Sequence, residues 1–241
     1  MRQANLPHYL FRALASARNR RLGPSKVSDL IRFYPMWVND LEGQSPLTME
    51  LPWMTYRSID FLRETVKSDF RVFEYGSGGS TMFFSQRCRQ LVSVEHDPEW
   101  AVSVREAITK RSAGNVDFKL IEPVKDAVGS DVDAADPESF ASGERHYKSC
   151  SFEDYVRSID AYADESFDIV AVDGRARQTC ISHARSKVKV GGWLILDDAE
   201  RDRYQRAQSL LDNDQWRRVD FNGPAPCKRY FAVTRAWQKL R

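Results

Sequence analysis

The stretch RVFEYGSGGSTMFF, residues 71–84, constrains the fold more than any other part of the chain. RVFEY is a short, largely apolar run that predicts a strand. It ends at a group of three glycines, and glycine allows a tight turn whose backbone amides face an approaching ligand. A strand that leads through such a turn into a helix is typical of parallel sheets with crossover helices. We therefore expect an α/β fold.

The alternation of strand-like and helix-like segments continues after this turn. Further strands are predicted over residues 91–95, 116–122, 167–173 and 191–198. A helix is predicted from Asp97 and Pro98 to about Thr109, and another over residues 151–159 with Ser151 as its N-cap. The last two strands, in residues 216–223 and 229–237, are separated by a short linker, so we expect an antiparallel pair.

Two parts of the chain depart from this alternation. Residues 1–50 contain amphipathic pieces, and we expect an N-terminal helical cap on a single domain that spans residues 51–241. The segment 124–150 is polar, rich in helix breakers and longer than most connections in compact domains. It is either a lid or a disordered insertion. A lid that closes would bring His146, Tyr147 and Lys148 near a substrate.

Composition excludes several classes of protein. With 241 residues, of which 42% are hydrophobic, the chain is long enough for one sizeable core. Its net charge of +2 is too small to indicate a nucleic-acid partner. No apolar segment approaches the roughly 20 residues of a membrane span, and no secretory signal is visible. The four cysteines are scattered, so we expect reduced thiols in a cytoplasmic protein.

A second acidic position supports a nucleoside ligand at the glycine-rich turn. Glu95 ends the second strand about 20 residues after the turn, where a carboxylate can accept both ribose hydroxyls. A dinucleotide fingerprint would place its third glycine at position 81, where this chain has Thr81. Glu74 would repel phosphates but suits a ligand with an ammonium group. A nucleoside that carries an amino acid therefore fits better than a dinucleotide.

Three aspartates are expected to meet at the same edge of the sheet. Asp173 ends the fourth strand, while Asp197 and Asp198 end the fifth. Neighbouring strands lie about 4.8 Å apart, so these carboxylates would repel each other unless they are neutralised. A magnesium ion is one solution. The nearby Arg175, Arg177 and Arg201 are the other.

Four stretches together resemble a class I S-adenosylmethionine-dependent methyltransferase over about residues 50–235. They are E-x-G-x-G with a following S-T, V-E-H-D, F-D-I-V-A-V-D-G and G-G-W-L-I-L-D-D. The resemblance implies a doubly wound, Rossmann-like sheet of seven mostly parallel strands with an antiparallel C-terminal hairpin. It also implies S-adenosylmethionine contacts by Glu74, Gly76, Ser77 and Gly78 (methionine), Ser80 and Thr81 (carboxylate), Glu95 (ribose) and His96 (adenine).

V-D-G followed by G-G-x-x-I-x-D-D is also similar to metal-dependent O-methyltransferases that act on sugar hydroxyls of macrolides and aminocoumarins. This resemblance implies that Asp173, Asp197 and Asp198 hold magnesium, which lowers the pKa of the acceptor hydroxyl. Those enzymes carry a proposed general base two residues after the strand-end aspartate, where this chain has Arg175. The identity of the base is therefore open. Arg175 and Arg177 either bind an anionic acceptor or pair with Asp197, Asp198 or Glu200.

These patterns lead to one functional prediction. We expect a methyltransferase that modifies a hydroxyl of a small molecule or carbohydrate, with Asp173, Arg175 and Asp198 as catalytic residues. A non-catalytic module that binds S-adenosylmethionine and an NAD-dependent oxidoreductase are the alternatives. Trp53 and Met54 are predicted to be core residues, and Thr55 and Tyr56 are predicted to reach the cofactor.

Overall fold

The computed structural model describes residues 6–41, 44–129 and 131–241, and within them it contains a seven-stranded sheet. The strands are β1 (Arg71–Tyr75), β2 (Gln90–Glu95), β3 (Val116–Leu120), β4 (Phe167–Val172), β5 (Val188–Leu196), β6 (Trp216–Gly223) and β7 (Ala232–Lys239). Their order across the sheet is β3-β2-β1-β4-β5-β7-β6. β1 to β5 are parallel, and β7 is antiparallel to both β5 and β6. The predicted mostly parallel α/β sheet with an antiparallel C-terminal pair is confirmed.

The described helices pack on both faces of this sheet. They are α1 (Leu6–Arg18), α2 (Val27–Asp40), α3 (Pro46–Met49), α4 (Tyr56–Thr65), α5 (Gly79–Ser85), α6 (Pro98–Arg111), α7 (Glu153–Arg157), α8 (Arg177–Lys187) and α9 (Gln205–Ser209). α6 begins as predicted, because the Asp97 side chain accepts hydrogen bonds from the amides of Glu99 and Trp100. None of the described helices combines the length and apolar character needed to cross a membrane.

Two apolar cores lie on opposite faces of the sheet, because successive side chains of a strand point in opposite directions. Phe73 belongs to the core that α7, α8 and α9 cover. Its neighbour Val72 belongs to the other core, which Tyr9 of α1 and Phe33 of α2 also share. The N-terminal helices α1 and α2 therefore belong to the core on this face of the sheet, where Phe33 stacks on Tyr56 of α4. The division of the chain at residue 50 stays a prediction, and part of the predicted cap, residues 1–5 and 42–43, lies outside the described residues.

Several element boundaries differ from the predictions. β5 begins at Val188 and not at residue 191, and it passes through Gly191 with a φ of 82°. The pairing of β4 with β5 shifts register between Phe167 and Ile169, which allows the longer strand to continue past the glycines. The predicted helix 151–159 is shorter, with α7 followed by a 3₁₀ turn at Ser158–Ala161. The prediction of Ser151 as the N-cap was wrong by one residue, because Phe152 occupies that position, although the Ser151 hydroxyl accepts a hydrogen bond from the Glu153 amide at 3.2 Å.

Candidate functional site

A cavity of about 630 Å³ opens at the carboxyl ends of β1, β2, β4 and β5. This volume is in the range of small-molecule binding sites. The lining residues fall into two sets. Those from the turn after β1 and from the end of β2 with the start of α6 are Gly76, Ser77, Gly78, Gly79, Ser80, Glu95, His96, Asp97 and Trp100, and those from other parts of the chain are Pro46, Trp53, Glu144, Asp173, Gly174, Arg175, Arg177, Asp198, Arg201, Lys228 and Tyr230. Parallel strands place their carboxyl ends at one edge, so residues from distant parts of the sequence meet there.

Tertiary packing requires glycine at two positions of the turn after β1. Gly76 has a φ of +90°, and a Cβ there would lie 2.7 Å from the backbone of Gly174. A Cβ at Gly79 would overlap the carbonyl oxygens of Pro46 and Leu51. The turn is therefore pressed between the β4 loop and the N-terminal cap, in addition to lining the cavity.

Glu74 and Thr81 lie beneath this turn and not on the cavity wall. Oε1 of Glu74 accepts hydrogen bonds from Thr81 Oγ1 at 2.5 Å and from Ser93 Oγ at 2.7 Å. Oε2 of Glu74 is buried and has no hydrogen-bond partner among the described residues. Burial raises the pKa of Glu74 to about 7, although the bonds from Ser93 and Thr81 act in the opposite direction. Ser80, by contrast, faces the cavity.

Glu95 links the turn to the start of α6. Its carboxylate accepts hydrogen bonds from the amides of Ser77 (2.9 Å), His96 (2.8 Å) and Asp97 (2.9 Å). Burial acts to raise the pKa of Glu95, but the adjacent His96 side chain and the amides of Asp97 and Ser77 outweigh it and lower the pKa. Glu95 is therefore held as a carboxylate in one fixed position on the cavity wall.

His96 lies between this carboxylate and the predicted lid. Its Nδ1 is 2.7 Å from Glu95 Oε1, and its Nε2 forms a 2.9 Å hydrogen bond with the Tyr147 hydroxyl. The described part of segment 124–150 is attached at further points, because Val124 and Ala141 both form β-bridges with Ser151. Residue 130 of the predicted lid lies outside the described residues.

The predicted magnesium site at Asp173, Asp197 and Asp198 is not supported. Lys228 Nζ donates to Asp197 Oδ2 at 2.8 Å and to Asp198 Oδ1 at 3.1 Å. The other oxygens of these two aspartates accept from Thr234 Oγ1 at 2.7 Å and from Arg201 at 2.5 Å. All four oxygens are thus engaged by protein donors, and no group of side chains in the described residues is arranged to hold a metal ion. Cationic side chains of the protein neutralise the aspartates, and Lys228 contacts both Asp197 and Asp198.

Asp173 and Asp198 differ in their electrostatic surroundings. Asp173 pairs with Arg177 at 2.9 Å, and its side chain keeps 20% of its surface exposed at the cavity. Burial raises the pKa of Asp173 despite Arg177, and repulsion from Asp197 and Asp198 adds to the rise. Burial also acts to raise the pKa of Asp198, but Lys228, Arg177 and Arg201 outweigh it and lower the pKa.

Several residues of the cavity were not predicted as site residues. They include Trp53, Asp97, Trp100, Glu144, Lys228 and Tyr230. The prediction that Trp53 is a core residue was wrong, because its side chain is 46% exposed in the cavity wall, whereas Met54 is fully buried as predicted. Thr55 and Tyr56 are buried away from the wall. Asp97 was predicted only as the start of a helix, Trp100 lies in the first turn of that helix, and nothing local marks Glu144 or Lys228.

Solved structures with a similar fold include several described as methyltransferases. A putative O-methyltransferase from Klebsiella pneumoniae matches with a TM-score of 0.55 and 14% identity, over 89% of this chain and 96% of that one. A putative methyltransferase from Streptococcus mutans, in complex with S-adenosylhomocysteine, matches with a TM-score of 0.52 and 14% identity, over 75% and 95%. This chain has the class I methyltransferase fold. No protein-family model and no curated protein sequence matches it.

The class I methyltransferase fold leaves the acceptor undetermined. An rRNA methylase from Streptococcus thermophilus also matches, with a TM-score of 0.52 and 14% identity over 77% of this chain and 96% of that one. Enzymes described as acting on different acceptors therefore share this sheet. The acceptor must be inferred from the side chains of the cavity.

Proposed function

We propose that this protein is an S-adenosylmethionine-dependent methyltransferase that modifies a hydroxyl group of a small molecule or carbohydrate. The observation that carries the proposal is one cavity that is lined by the glycine-rich turn, by Glu95 and by Asp173. The turn and Glu95 suit a nucleoside that carries an amino acid, and Asp173 offers a carboxylate with a raised pKa. The fold shared with a structure bound to S-adenosylhomocysteine supports the choice of cofactor.

The cofactor half of the proposal follows from the hydrogen-bonding capacity of the turn. The amides and side chains of Gly76, Ser77, Gly78 and Ser80 would hold the methionine part of the cofactor, Glu95 the ribose hydroxyls, and His96 would lie beside the adenine. Glu74 has one buried and unpartnered oxygen beneath the turn, and an ammonium group bound above it would favour its ionised form over the neutral form that burial favours. The hydroxyl of Thr81 already donates to Glu74, so its part is to hold that carboxylate in place.

Asp173 would act as general base in the acceptor half. When bound, S-adenosylmethionine supplies an electrophilic methyl group, which passes to the acceptor oxygen and leaves S-adenosylhomocysteine. Asp173 accepts the proton of the acceptor hydroxyl, and its raised pKa brings it closer to the operating pH than an ordinary aspartate. Arg177 holds Asp173 Oδ1 from the side, and Asp198 positions Arg201 and Lys228.

A small acceptor fits the volume of the cavity and the small net charge of the chain. A volume of about 630 Å³ suits a small-molecule site, and the chain carries a net charge of only +2. A nucleic-acid acceptor would favour a larger positive surface than this. We therefore propose a metabolite or sugar hydroxyl in preference to RNA.

Calorimetry with S-adenosylhomocysteine, followed by a screen of hydroxylated acceptors for product formation, tests the proposal. Binding should be at least about tenfold weaker in Glu95→Ala, because the ribose loses a charged acceptor, and unchanged in Glu99→Gln, which alters an exposed carboxylate of α6. Asp173→Asn should retain binding but lose turnover, whereas Asp164→Asn, at an exposed ion pair, should retain both. Equal cofactor affinity in wild type and Glu95→Ala would contradict the ribose assignment.

A further inference from the structure

Arg175 differs from the other cationic side chains in the acceptor half of the cavity, because it has no carboxylate partner among the described residues. Four cations line this half, and three of them are paired: Arg177 with Asp173, Lys228 with Asp197 and Asp198, and Arg201 with Asp198 and Glu144. Within the described residues, Arg175 has no carboxylate at ion-pair distance. Its charge is therefore not used to neutralise the aspartate cluster.

The surroundings of Arg175 leave one of its buried donors without an acceptor. The group lies 5.6 Å from the centre of the Tyr147 ring, which supports one face of the guanidinium plane. Nε of Arg175 is buried, and no described residue accepts a hydrogen bond from it. A buried donor without an acceptor is unfavourable unless a ligand completes it. Guanidinium geometry matches a carboxylate or phosphate through two parallel hydrogen bonds.

The helix that follows adds positive potential at the same place. α8 has 11 residues and begins two residues after Arg175. Its N-cap residue, Ala176, provides no side-chain acceptor, and its first turn contains no acidic residue. Neither the N-cap residue nor the first turn of α8 therefore supplies an acceptor for the amides of this helix end, which favours a bound anion.

Two aromatic side chains offer apolar surface beside these cations. Trp53 and Tyr230 are 46% and 41% exposed, and both line the cavity. Their rings lie 5.3 and 6.0 Å from Lys228 Nζ, so they flank the same wall. A ring of the acceptor can pack on this surface while its charged group reaches Arg175.

We infer that the methyl acceptor carries an oxyanion, a carboxylate or a phosphate, and that Arg175 binds it. The inference rests on the proposed methyltransferase function, because it concerns the acceptor half of that site. It assigns to Arg175 the recognition of the acceptor, two residues from the proposed base Asp173. The similar metal-dependent O-methyltransferases carry an acid at this position, whereas this chain has Arg175, a hydrogen-bond donor that selects for negative charge.

Calorimetry on the protein saturated with S-adenosylhomocysteine tests this inference. The carboxylate probe is 4-hydroxybenzoate, the phosphate probe is phenyl phosphate, and the neutral control is 4-hydroxybenzamide. We expect one of the two anionic probes to bind at least about tenfold more tightly than the amide. Arg175→Met should remove this preference, and Arg175→Lys, which keeps the charge but loses the planar fork, should retain part of it. Arg185→Met, at an exposed arginine of the same helix, should retain it fully.

The outcomes separate the inference from the function on which it rests. If S-adenosylhomocysteine binds equally to wild type and Arg175→Met, the variant is folded and its cofactor half is intact. An anionic preference that survives Arg175→Met, or equal binding of all three probes to the wild type, overturns the inference alone. Failure of the wild type to bind S-adenosylhomocysteine overturns the proposed function as well.

Discussion

Replacement of Lys228 by methionine tests the charge arrangement that the structure shows in place of a metal site. The ammonium group lies 2.8 Å from Asp197 and 3.1 Å from Asp198, and the three side chains are 3%, 0% and 5% exposed. Removal of one partner from such a buried cluster costs about 3–5 kcal/mol, because the remaining charges stay buried without compensation. At roughly 2–4 °C per kcal/mol for a chain of this size, the melting temperature should fall by about 6–20 °C.

Urea denaturation followed by circular dichroism measures the loss directly. Lys187→Met is the matched control, because Lys187 pairs with Asp164, whose side chain is 67% exposed, and such pairs contribute about 0–1 kcal/mol. The triple variant Lys228→Met/Asp197→Asn/Asp198→Asn should recover part of the lost stability, since it removes the uncompensated charges as well.

The pH dependence of the stability difference between the wild type and Lys228→Met provides a second test. Lys228 lowers the pKa of Asp198, so the stability that this aspartate contributes is present above its unfolded pKa of about 3.9 and lost as the pH falls through the folded value. The gap between wild type and Lys228→Met should therefore be widest above about pH 5 and narrow toward pH 3. A gap below about 1 kcal/mol at pH 7.5, or one that does not change with pH, would refute the reasoning.

Three further predictions concern the cavity. Burial raises the pKa of Glu74 to about 7. The free energy of unfolding of the wild type, measured by urea titration, should therefore fall relative to that of Glu74→Gln by up to about 3 kcal/mol as the pH rises from about 4.5 to 8. An equal pH dependence of the two proteins would contradict this. EDTA or added magnesium should change cofactor affinity and turnover less than twofold, because protein donors engage all four oxygens of Asp197 and Asp198. Tyr147→Phe should weaken S-adenosylhomocysteine binding about two- to tenfold in calorimetry, because the hydrogen bond to His96 is lost. Unchanged affinity would show that Tyr147 of segment 124–150 does not contribute to cofactor binding.

The sequence by itself determined the order of the elements and the edge of the sheet at which the candidate site residues lie. The run of strands from residue 71, the glycine-rich turn and the antiparallel final pair all follow from local periodicity and backbone preference. Parallel strands place their carboxyl ends at one edge, so the glycine-rich turn, Glu95 and the aspartates were expected to share one site, and Glu95, Asp173 and Asp198 do line the same cavity. These features depend on neighbours in sequence or on a rule common to all such sheets.

Only the tertiary structure decided how the charges of the aspartates are neutralised and which residues line the cavity. Lys228 comes from the linker between β6 and β7, 30 residues after Asp198, and Glu144 comes from the long loop before α7. The partners of a buried carboxylate depend on the distances and burial that packing creates, and no local pattern encodes them. The sequence alone allowed magnesium or arginine at the three aspartates, and the fold placed a lysine between two of them.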